Sequence, residues 1–362
     1  MTYLHDIFEA VLECCNGQSK DDAKRISELA IAQHYVERLY LGKLSHPDKM
    51  EKLKSAIFTF IHSPEYLSQL SNPFLLQPYL TPYIFLRGQG WMSDHFENLL
   101  PMFLQNDFTV KQCYPYRRLE RQHLLYRLGE DTLGAALLPE ARADALQAYT
   151  YNRDLSYAFT HAVFYLTDFG LLERSDHLIK DVASLIMVMS YERNDVDLFY
   201  EACLCLLSQP VSQDDISDML FMISDFAGTN EHLGQHGDMH KDYHPLLVYD
   251  ILRGLCLRNH NIDIATAEVV ENAEGPILSL REILKALPGK QVAEIVDSYS
   301  LYKQKWGPRP FIEEMISHRL DFLSGLAEQQ VLFEYEFSKL GQYNPAIYKE
   351  FAALVKSARL SV

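Results

Sequence analysis

The chain has 362 residues, of which 48% are hydrophobic and 12% aromatic, and its formal net charge is −16. This composition supports a large packed core and excludes an intrinsically disordered chain. The strong negative charge argues against nucleic acid or an anionic membrane surface as the main partner.

The N-terminal segment and the cysteines indicate a cytoplasmic protein. The first ten residues carry acids within their apolar run and lack a basic segment, so we expect no signal peptide. No window of about 18 uncharged apolar residues occurs, so we expect no membrane span. The six cysteines form no Cys-x-x-Cys pair and none stands beside a histidine, which predicts reduced thiols.

Helix start signals recur along the chain. Ser19 to Asp22 resembles a capping box and opens an amphipathic run to Leu41. Further helix starts are predicted at Thr81-Pro82, Ser93-Asp94, Asp195, Ser212 and Tyr243-His244-Pro245. In the last third of the chain, helices are predicted near 278–287, 290–304, 308–324 and 327–358.

The sequence lacks alternating strand patterns, so we predict an all-α fold. Aromatic helices containing Tyr79, Tyr157 and Tyr243 recur at roughly 80-residue intervals, each followed by a more amphipathic helix. This repetition predicts an α/α solenoid or toroid of stacked helix pairs. We expect a single helical domain of residues 1–362, with its loosest boundary near 129–150 and its clearest loop at 232–243.

The most informative segment runs from Asp154 to Asp168. At about 100° per residue, Asp154, His161, Tyr165 and Asp168 share one helical stripe opposite an apolar arc. Such a stripe suits the wall of a polar pocket, with His161 as an acid/base and Tyr165 and Asp168 as positioning groups. The alternative is that Asp154 only caps the helix and His161 is an ordinary interfacial histidine.

A basic segment follows Pro115. Arg117 and Arg118 lie at a predicted helix start, where backbone N–H groups and guanidinium groups together bind carboxylates or phosphates. Glu120 would orient one of the arginines. Internal ion pairs are the alternative explanation. Tyr157 and Tyr243, from the aromatic repeats, complete the predicted substrate-binding residues.

Two further patterns bear on metal binding. Four histidines stand at four-residue intervals: His232, His236, His240 and His244. On one helix they would form a metal-binding face, but Gly234, Gly237 and Pro245 predict a loop instead. In that case His244, the last of them, leads into a pocket-lining helix. Asp214-Asp215-Ile216-Ser217-Asp218 matches the magnesium diphosphate motif of class I terpene synthases, although a capped first turn also explains these acids.

Three segments at this order and spacing carry a resemblance: Pro115-Tyr-Arg-Arg-Leu-Glu, Thr160-His-Ala-Val-Phe-Tyr-Leu-Thr-Asp-Phe-Gly and Asp242-Tyr-His-Pro. Over roughly residues 75–260, the chain resembles an uncharacterised bacterial helical family associated with natural-product gene sets. The resemblance implies site roles for Arg118, Glu120, His161, Tyr165, Asp168 and His244. The general pattern is also similar to α/α toroids such as lanthionine cyclases and prenyltransferase-like proteins, but this chain lacks the adjacent Cys-His pair with which lanthionine cyclases hold zinc.

These patterns lead to two functional hypotheses. The first is a biosynthetic enzyme of specialised metabolism that acts on an anionic small molecule or peptide, with His161, Tyr165, Asp168 and His244 as catalytic candidates. The second is a non-catalytic helical scaffold that binds a peptide or partner enzyme, and a magnesium-dependent terpene-synthase-like enzyme is a minor alternative. The sequence leaves the cofactor, the metal and the oligomeric state open.

Overall fold

The computed structural model describes residues 3–40, 47–72, 75–105, 115–130, 153–172, 175–236, 239–267, 275–286 and 292–306. Every regular element in these ranges is helical and none is a strand, which confirms the all-α class. The chain divides into two compact units, Met1–Glu271 and Asn272–Val362. The single domain stays a prediction, and most of its proposed loose boundary, 131–150, lies outside the described residues.

The first unit contains the helices that carry the candidate site. In chain order they are α1 Leu4–Glu13, α2 Lys20–Leu39, α3 Pro47–Ile61, α4 Pro64–Gln69, α5 Leu76–Arg87, α6 Asp94–Glu97, α7 Leu100–Gln105, α8 Pro115–Leu128, α9 Arg153–Thr167, α10 His177–Glu192, α11 Val196–Leu207, α12 Gln213–His236 and α13 Met239–His260.

Local capping chemistry fixes several of these starts as predicted. The Ser19 hydroxyl accepts the Asp22 backbone N–H at 3.0 Å, and the Asp22 carboxylate accepts the Ser19 N–H, which completes the capping box of α2. Asp195 caps α11 through the backbone N–H of Leu198. Pro115 is the first residue of α8, where its missing N–H costs nothing.

Two predicted helix starts are wrong, because both prolines lie inside helices. Pro82 is in the interior of α5, and Pro245 is in the interior of α13, which begins at Met239. A proline leaves the carbonyl four residues earlier without its helical donor. At α5 that carbonyl belongs to Pro78 and accepts the Ser27 hydroxyl of α2 at 3.0 Å, so a tertiary contact replaces the lost bond.

The predicted loop at 232–243 is also largely wrong. The backbone is helical through His236 in α12 and again from Met239 in α13. The side chains of His232, His236 and His240 lie outside the described part. His244, by contrast, is a described residue of α13.

Six helices of the first unit contact one another in a closed cycle. Helix α2 contacts α5, α5 contacts α8, α8 contacts α9, α9 contacts α11, α11 contacts α13, and α13 returns to α2. Other helices alternate with these along the chain; α10, for example, lies between α9 and α11 in sequence and packs on α11. The cycle brings helices from distant parts of the sequence next to one another.

In the second unit, α14 Pro276–Ala286 and α15 Val292–Trp306 pack against each other. These bounds confirm the helices predicted near 278–287 and 290–304, whereas those predicted at 308–324 and 327–358 lie outside the described residues. Among the described helices, none is both long and apolar enough to cross a membrane. Among the described residues, no disulfide joins Cys14, Cys15, Cys203, Cys205 or Cys256.

Candidate functional site

Four helices of the cycle bring acidic and histidine side chains together. We call this group the acid–histidine cluster, and it consists of Glu28 on α2, His161 on α9, Asp197 and Glu201 on α11, and His244 on α13. Asp197 and Glu201 are one helical turn apart, so both project from the same face of α11. Among the described residues, Asp197, Glu201 and His244 form a group in which one ligand atom of each lies within 4.8 Å of the others.

Asp197 fixes the orientation of the His244 imidazole. His244 Nδ1–H donates to Asp197 Oδ1 at 2.6 Å, and the Tyr157 hydroxyl donates to Asp197 Oδ2 at 2.6 Å. When the ring is neutral, His244 Nε2 carries its lone pair. It lies 3.7 Å from Glu28 Oε1 and 4.0 Å from Glu201 Oε1.

Glu201 forms the buried floor of the cluster, with 0% of its surface exposed. The Thr160 hydroxyl donates to Glu201 Oε2, while Oε1 has no hydrogen-bond partner among the described residues. His161 Nδ1–H donates to the Tyr157 carbonyl oxygen at 2.7 Å and lies 3.8 Å from Glu201 Oε2. A buried carboxylate with one unsatisfied oxygen is costly unless another group binds it.

Glu28 closes the cluster from α2. The Tyr243 hydroxyl donates to Glu28 Oε2, which turns Oε1 towards His244 Nε2. Lys24, a mostly exposed side chain one turn earlier on α2, has its Nζ 3.6 Å from the same Oε1. The two carboxylates that face His244 Nε2, those of Glu28 and Glu201, are thus each held by a partner at their other oxygen.

The pKa values reflect an excess of negative charge. Burial and the nearby Asp197 carboxylate raise the pKa of Glu201. Burial opposes a protonated His244 ring, but the charges of Asp197 and Glu28 outweigh burial and raise its pKa. Burial disfavours the Asp197 carboxylate, yet the adjacent His244 holds its pKa below the usual range. The cluster is therefore a site that attracts positive charge.

Solvent reaches part of the cluster. The side chain of His161 is 29% exposed, that of Asp197 is 23% exposed and that of His244 is 22% exposed, while Glu201 is closed off. A small ion or a side group of a larger molecule can therefore approach His244 Nε2 from the exposed side. This combination of a buried floor and an open rim is typical of a binding site.

Four predicted site residues lie at this cluster: His161, His244, Tyr157 and Tyr243. Tyr165 is a neighbour, since its ring centroid lies 6.2 Å from that of His161 and 5.5 Å from that of His123. Asp154 is exposed in the first turn of α9 and is not the cap residue. Their catalytic and substrate-binding roles stay predictions.

Asp168 does not continue the stripe of α9, so that part of the prediction is wrong. The helix ends at Thr167, and Asp168, Phe169 and Gly170 have φ angles of 49°, 54° and 81°, in the left-handed region. This turn directs Asp168, which is 2% exposed, into a separate buried group. Its Oδ1 accepts the Tyr35 hydroxyl at 2.5 Å, His123 Nε2–H at 2.9 Å and Arg127 Nη2 at 2.5 Å.

Two of the described arginines of α8 make contacts inside the protein. Arg121 donates to the carbonyl oxygens of Phe103 and Leu104, and Arg127 pairs with Asp168. For Arg117 and Arg118 themselves, anion binding and internal ion pairs both stay predictions. Of the predicted anion-binding residues, Arg118 is exposed and Glu120 is half-buried, whereas the Arg117 side chain lies outside the described part.

The Asp214 to Asp218 motif also makes structural contacts. Asp215 accepts the Ser212 hydroxyl at 2.7 Å and pairs with Lys180 Nζ at 2.6 Å, at the first turn of α12. Asp218 is buried and Asp214 is exposed, so the acids face different surroundings. The terpene-synthase hypothesis gains no support from this geometry.

Sequence reasoning did not select Glu28, Asp197 or Glu201 for the site. A usable signal was present on α11, where Asp197 and Glu201 are the only charged residues in a helix that is otherwise apolar or aromatic. Acids at i and i+4 within such a helix are seldom buried without a partner. Glu28 gave no such signal because α2 carries several other charges.

An all-α protein with an acid–histidine site on four helices is the class that these observations define. The chain belongs to the family described as a domain of unknown function, DUF6895, whose profile matches residues 15–249. That range includes Glu28, Asp197, Glu201 and His244, so the complete cluster lies within the family's domain. A comparison with curated proteins and a comparison with solved structures each found no match.

Proposed function

We propose that the protein is an enzyme that carries out acid/base chemistry at the acid–histidine cluster. The observation that carries the proposal is the oriented imidazole of His244, whose Nε2 faces the unsatisfied Oε1 of the fully buried Glu201. Asp197 holds that imidazole in place from the other side. A fixed ring nitrogen beside a buried carboxylate is the kind of arrangement that moves protons in active sites.

The helix cycle supports this location. We propose that α2, α5, α8, α9, α11 and α13 form the inner ring of an α/α toroid, since each contacts the next and the last returns to the first. The cluster draws its side chains from four of these six helices. Such a ring would gather polar side chains around one central cavity, where enzymes of helical architecture place their sites.

The charge of the cluster refines the predicted substrate. The carboxylates of Glu28, Asp197 and Glu201 outnumber the imidazoles of the cluster, so an anionic group alone would be repelled. The substrate therefore presents a neutral or cationic group to the cluster, or an anionic group accompanied by a cation. The role in specialised metabolism rests on the sequence resemblance.

Turnover of an unknown substrate can be tested without naming it. The full-length protein is incubated with a small-molecule extract, and the compounds consumed are followed by liquid chromatography and mass spectrometry. We expect the wild type and the control variant Glu65→Gln, which alters an exposed residue outside the cluster, to consume the same compound. The variants His244→Gln and Glu201→Gln should leave that compound unchanged.

Two results would contradict the proposal. Equal consumption by His244→Gln and wild type would remove the cluster from the reaction. If instead no compound is consumed but one is retained by the folded protein, the scaffold alternative is favoured. Circular dichroism of each variant checks that the helices remain folded.

A further inference from the structure

We propose that the acid–histidine cluster binds one divalent first-row transition-metal ion through Glu201 Oε1 and His244 Nε2, with Glu28 Oε1 moving in as the third ligand. This inference deepens the proposed function because it names the group that would carry the acid/base chemistry, yet ion binding can be tested independently of turnover. The Glu28 and Glu201 oxygens come from α2 and α11, and each lies within 4.0 Å of His244 Nε2 on α13.

Two of the three ligand distances are close to those of one ion. Metal–ligand bonds of about 2.1 Å that meet at a tetrahedral angle place their ligand atoms about 3.4 Å apart. His244 Nε2 lies 3.7 Å from Glu28 Oε1 and 4.0 Å from Glu201 Oε1. Glu28 lies outside the group whose ligand atoms are all within 4.8 Å of one another, so its carboxylate must rotate towards Glu201 to join the ion.

Each proposed ligand is held from behind by a second residue. Thr160 donates to the other oxygen of Glu201, and Tyr243 donates to the other oxygen of Glu28. Asp197 accepts Nδ1–H of His244. Metal-binding histidines and carboxylates in proteins are oriented by such outer contacts, which fix the tautomer and aim the ligand atom.

Asp197 is a positioning residue in this arrangement. Its Oδ1 is 2.6 Å from His244 Nδ1, a hydrogen-bond distance, and its Oδ2 accepts the Tyr157 hydroxyl. Both oxygens are therefore already engaged. The resulting carboxylate–histidine–metal order leaves Nε2 of His244 for the ion.

An observation beyond the acidic character of the cluster points to a ligand there. Glu201 is 0% exposed, and its Oε1 has no hydrogen-bond partner among the described residues. A buried carboxylate oxygen of this kind needs a cation or a proton. An ion coordinated by Glu28 and His244 as well would supply that charge and would displace the exposed Lys24 ammonium from Glu28.

The donor set narrows the identity of the ion. Two carboxylate oxygens and one imidazole nitrogen suit Mn²⁺, Fe²⁺ or Zn²⁺, while the hard cations Mg²⁺ and Ca²⁺ prefer oxygen ligands alone. Three protein ligands leave coordination positions for water or substrate, as catalytic metal sites require. A water bound there would be the acid/base group of the proposed reaction.

The test is calorimetric titration of the metal-stripped, full-length protein with MnCl₂ and, separately, ZnCl₂. We expect one ion per chain in the wild type, and no detectable binding at this site in Glu201→Gln or His244→Gln. Asp197→Asn should still bind, about 10–100-fold more weakly, because it loses only the orienting contact. The exposed controls Glu65→Gln and His95→Gln should bind like the wild type.

A second measurement keeps the result interpretable. Added metal should raise the Tm of the wild type and leave the Tm of Glu201→Gln unchanged. Without metal, the Tm of Glu201→Gln should equal or exceed that of the wild type, because a buried negative charge is removed. The proposal is overturned if the folded wild type binds neither ion, or if Glu201→Gln and His244→Gln keep wild-type affinity.

The two proposals can fail separately. Turnover that persists in EDTA with no bound metal would overturn the metal site and leave the enzyme proposal standing. Stoichiometric ion binding without any turnover would do the reverse, and would identify a metal-binding protein without catalysis at this cluster.

Discussion

Replacing Arg127 with methionine is expected to destabilise the folded protein by about 3–5 kcal/mol, because it leaves a buried carboxylate without its cation. Arg127 Nη2 lies 2.5 Å from Asp168 Oδ1, and the two side chains are only 11% and 2% exposed. Methionine retains much of the length and apolar volume of arginine, so the charge is the main quantity removed.

Urea unfolding followed by far-ultraviolet circular dichroism measures this loss. The matched control is Arg258→Met, an exposed arginine, which should change the free energy of unfolding by no more than about 0.5 kcal/mol. The double variant Arg127→Met/Asp168→Asn should recover part of the loss, since it also removes the buried charge. A loss below about 1 kcal/mol in Arg127→Met would refute this reasoning.

The same pair predicts a dependence on pH. Burial alone would raise the pKa of Asp168, but the His123 hydrogen bond and the Arg127 charge hold it well below the usual range. A carboxyl whose pKa is lowered by folding contributes stability above its unfolded pKa of about 4 and loses it as the pH falls further. The wild type should therefore lose more stability than Arg127→Met when the pH is lowered from about 7 to about 2.

Three further predictions concern stability. Asp250 accepts a backbone N–H at the start of α1, and burial raises its pKa to about 7, so its contribution to stability is present at low pH and lost as the pH rises through about 7. In a series of Tm values measured against pH, Asp250→Asn should therefore show a smaller decrease over this range than the wild type. Gly170→Ala should lower the free energy of unfolding in urea by about 2–4 kcal/mol, because φ is +81° and the new Cβ would lie 2.7 Å from Leu255 Cδ2. The control Gly129→Ala, at φ +80° with nothing within 4 Å, should lose only the cost of the left-handed backbone, about 1–2 kcal/mol. Ser19→Ala should cost about 1 kcal/mol in the same assay by removing one half of the capping box, and an unchanged midpoint would contradict the assigned role of that box.

The sequence predicts helices where the deciding chemistry is local. The caps at Ser19 and Asp195 act within three residues, so their patterns are readable without a fold. Pro82 shows the opposite case, since the bond that lets a helix pass through it comes from Ser27, which is 51 residues from the accepting Pro78. No local pattern can indicate such a contact.

The same distinction between local and long-range contacts applies to the candidate site. His244, Tyr157 and Tyr243 were selected as polar groups on aromatic helices, and they do lie together. Asp168 was assigned to the wrong surroundings because a left-handed turn ends α9 one residue before it. Glu28 could not be chosen from the sequence, because its selection depends on the contact between α2 and α13.

Crystals grown with MnCl₂ would locate the ion that the acid–histidine cluster is proposed to hold. An anomalous difference map should show one peak about 2.0–2.3 Å from His244 Nε2 and from one oxygen each of Glu28 and Glu201. Asp197 should remain hydrogen-bonded to His244 Nδ1, as it is in the metal-free geometry. Clear side-chain density for these residues with no anomalous peak between them, or a peak bound elsewhere, would contradict the metal site.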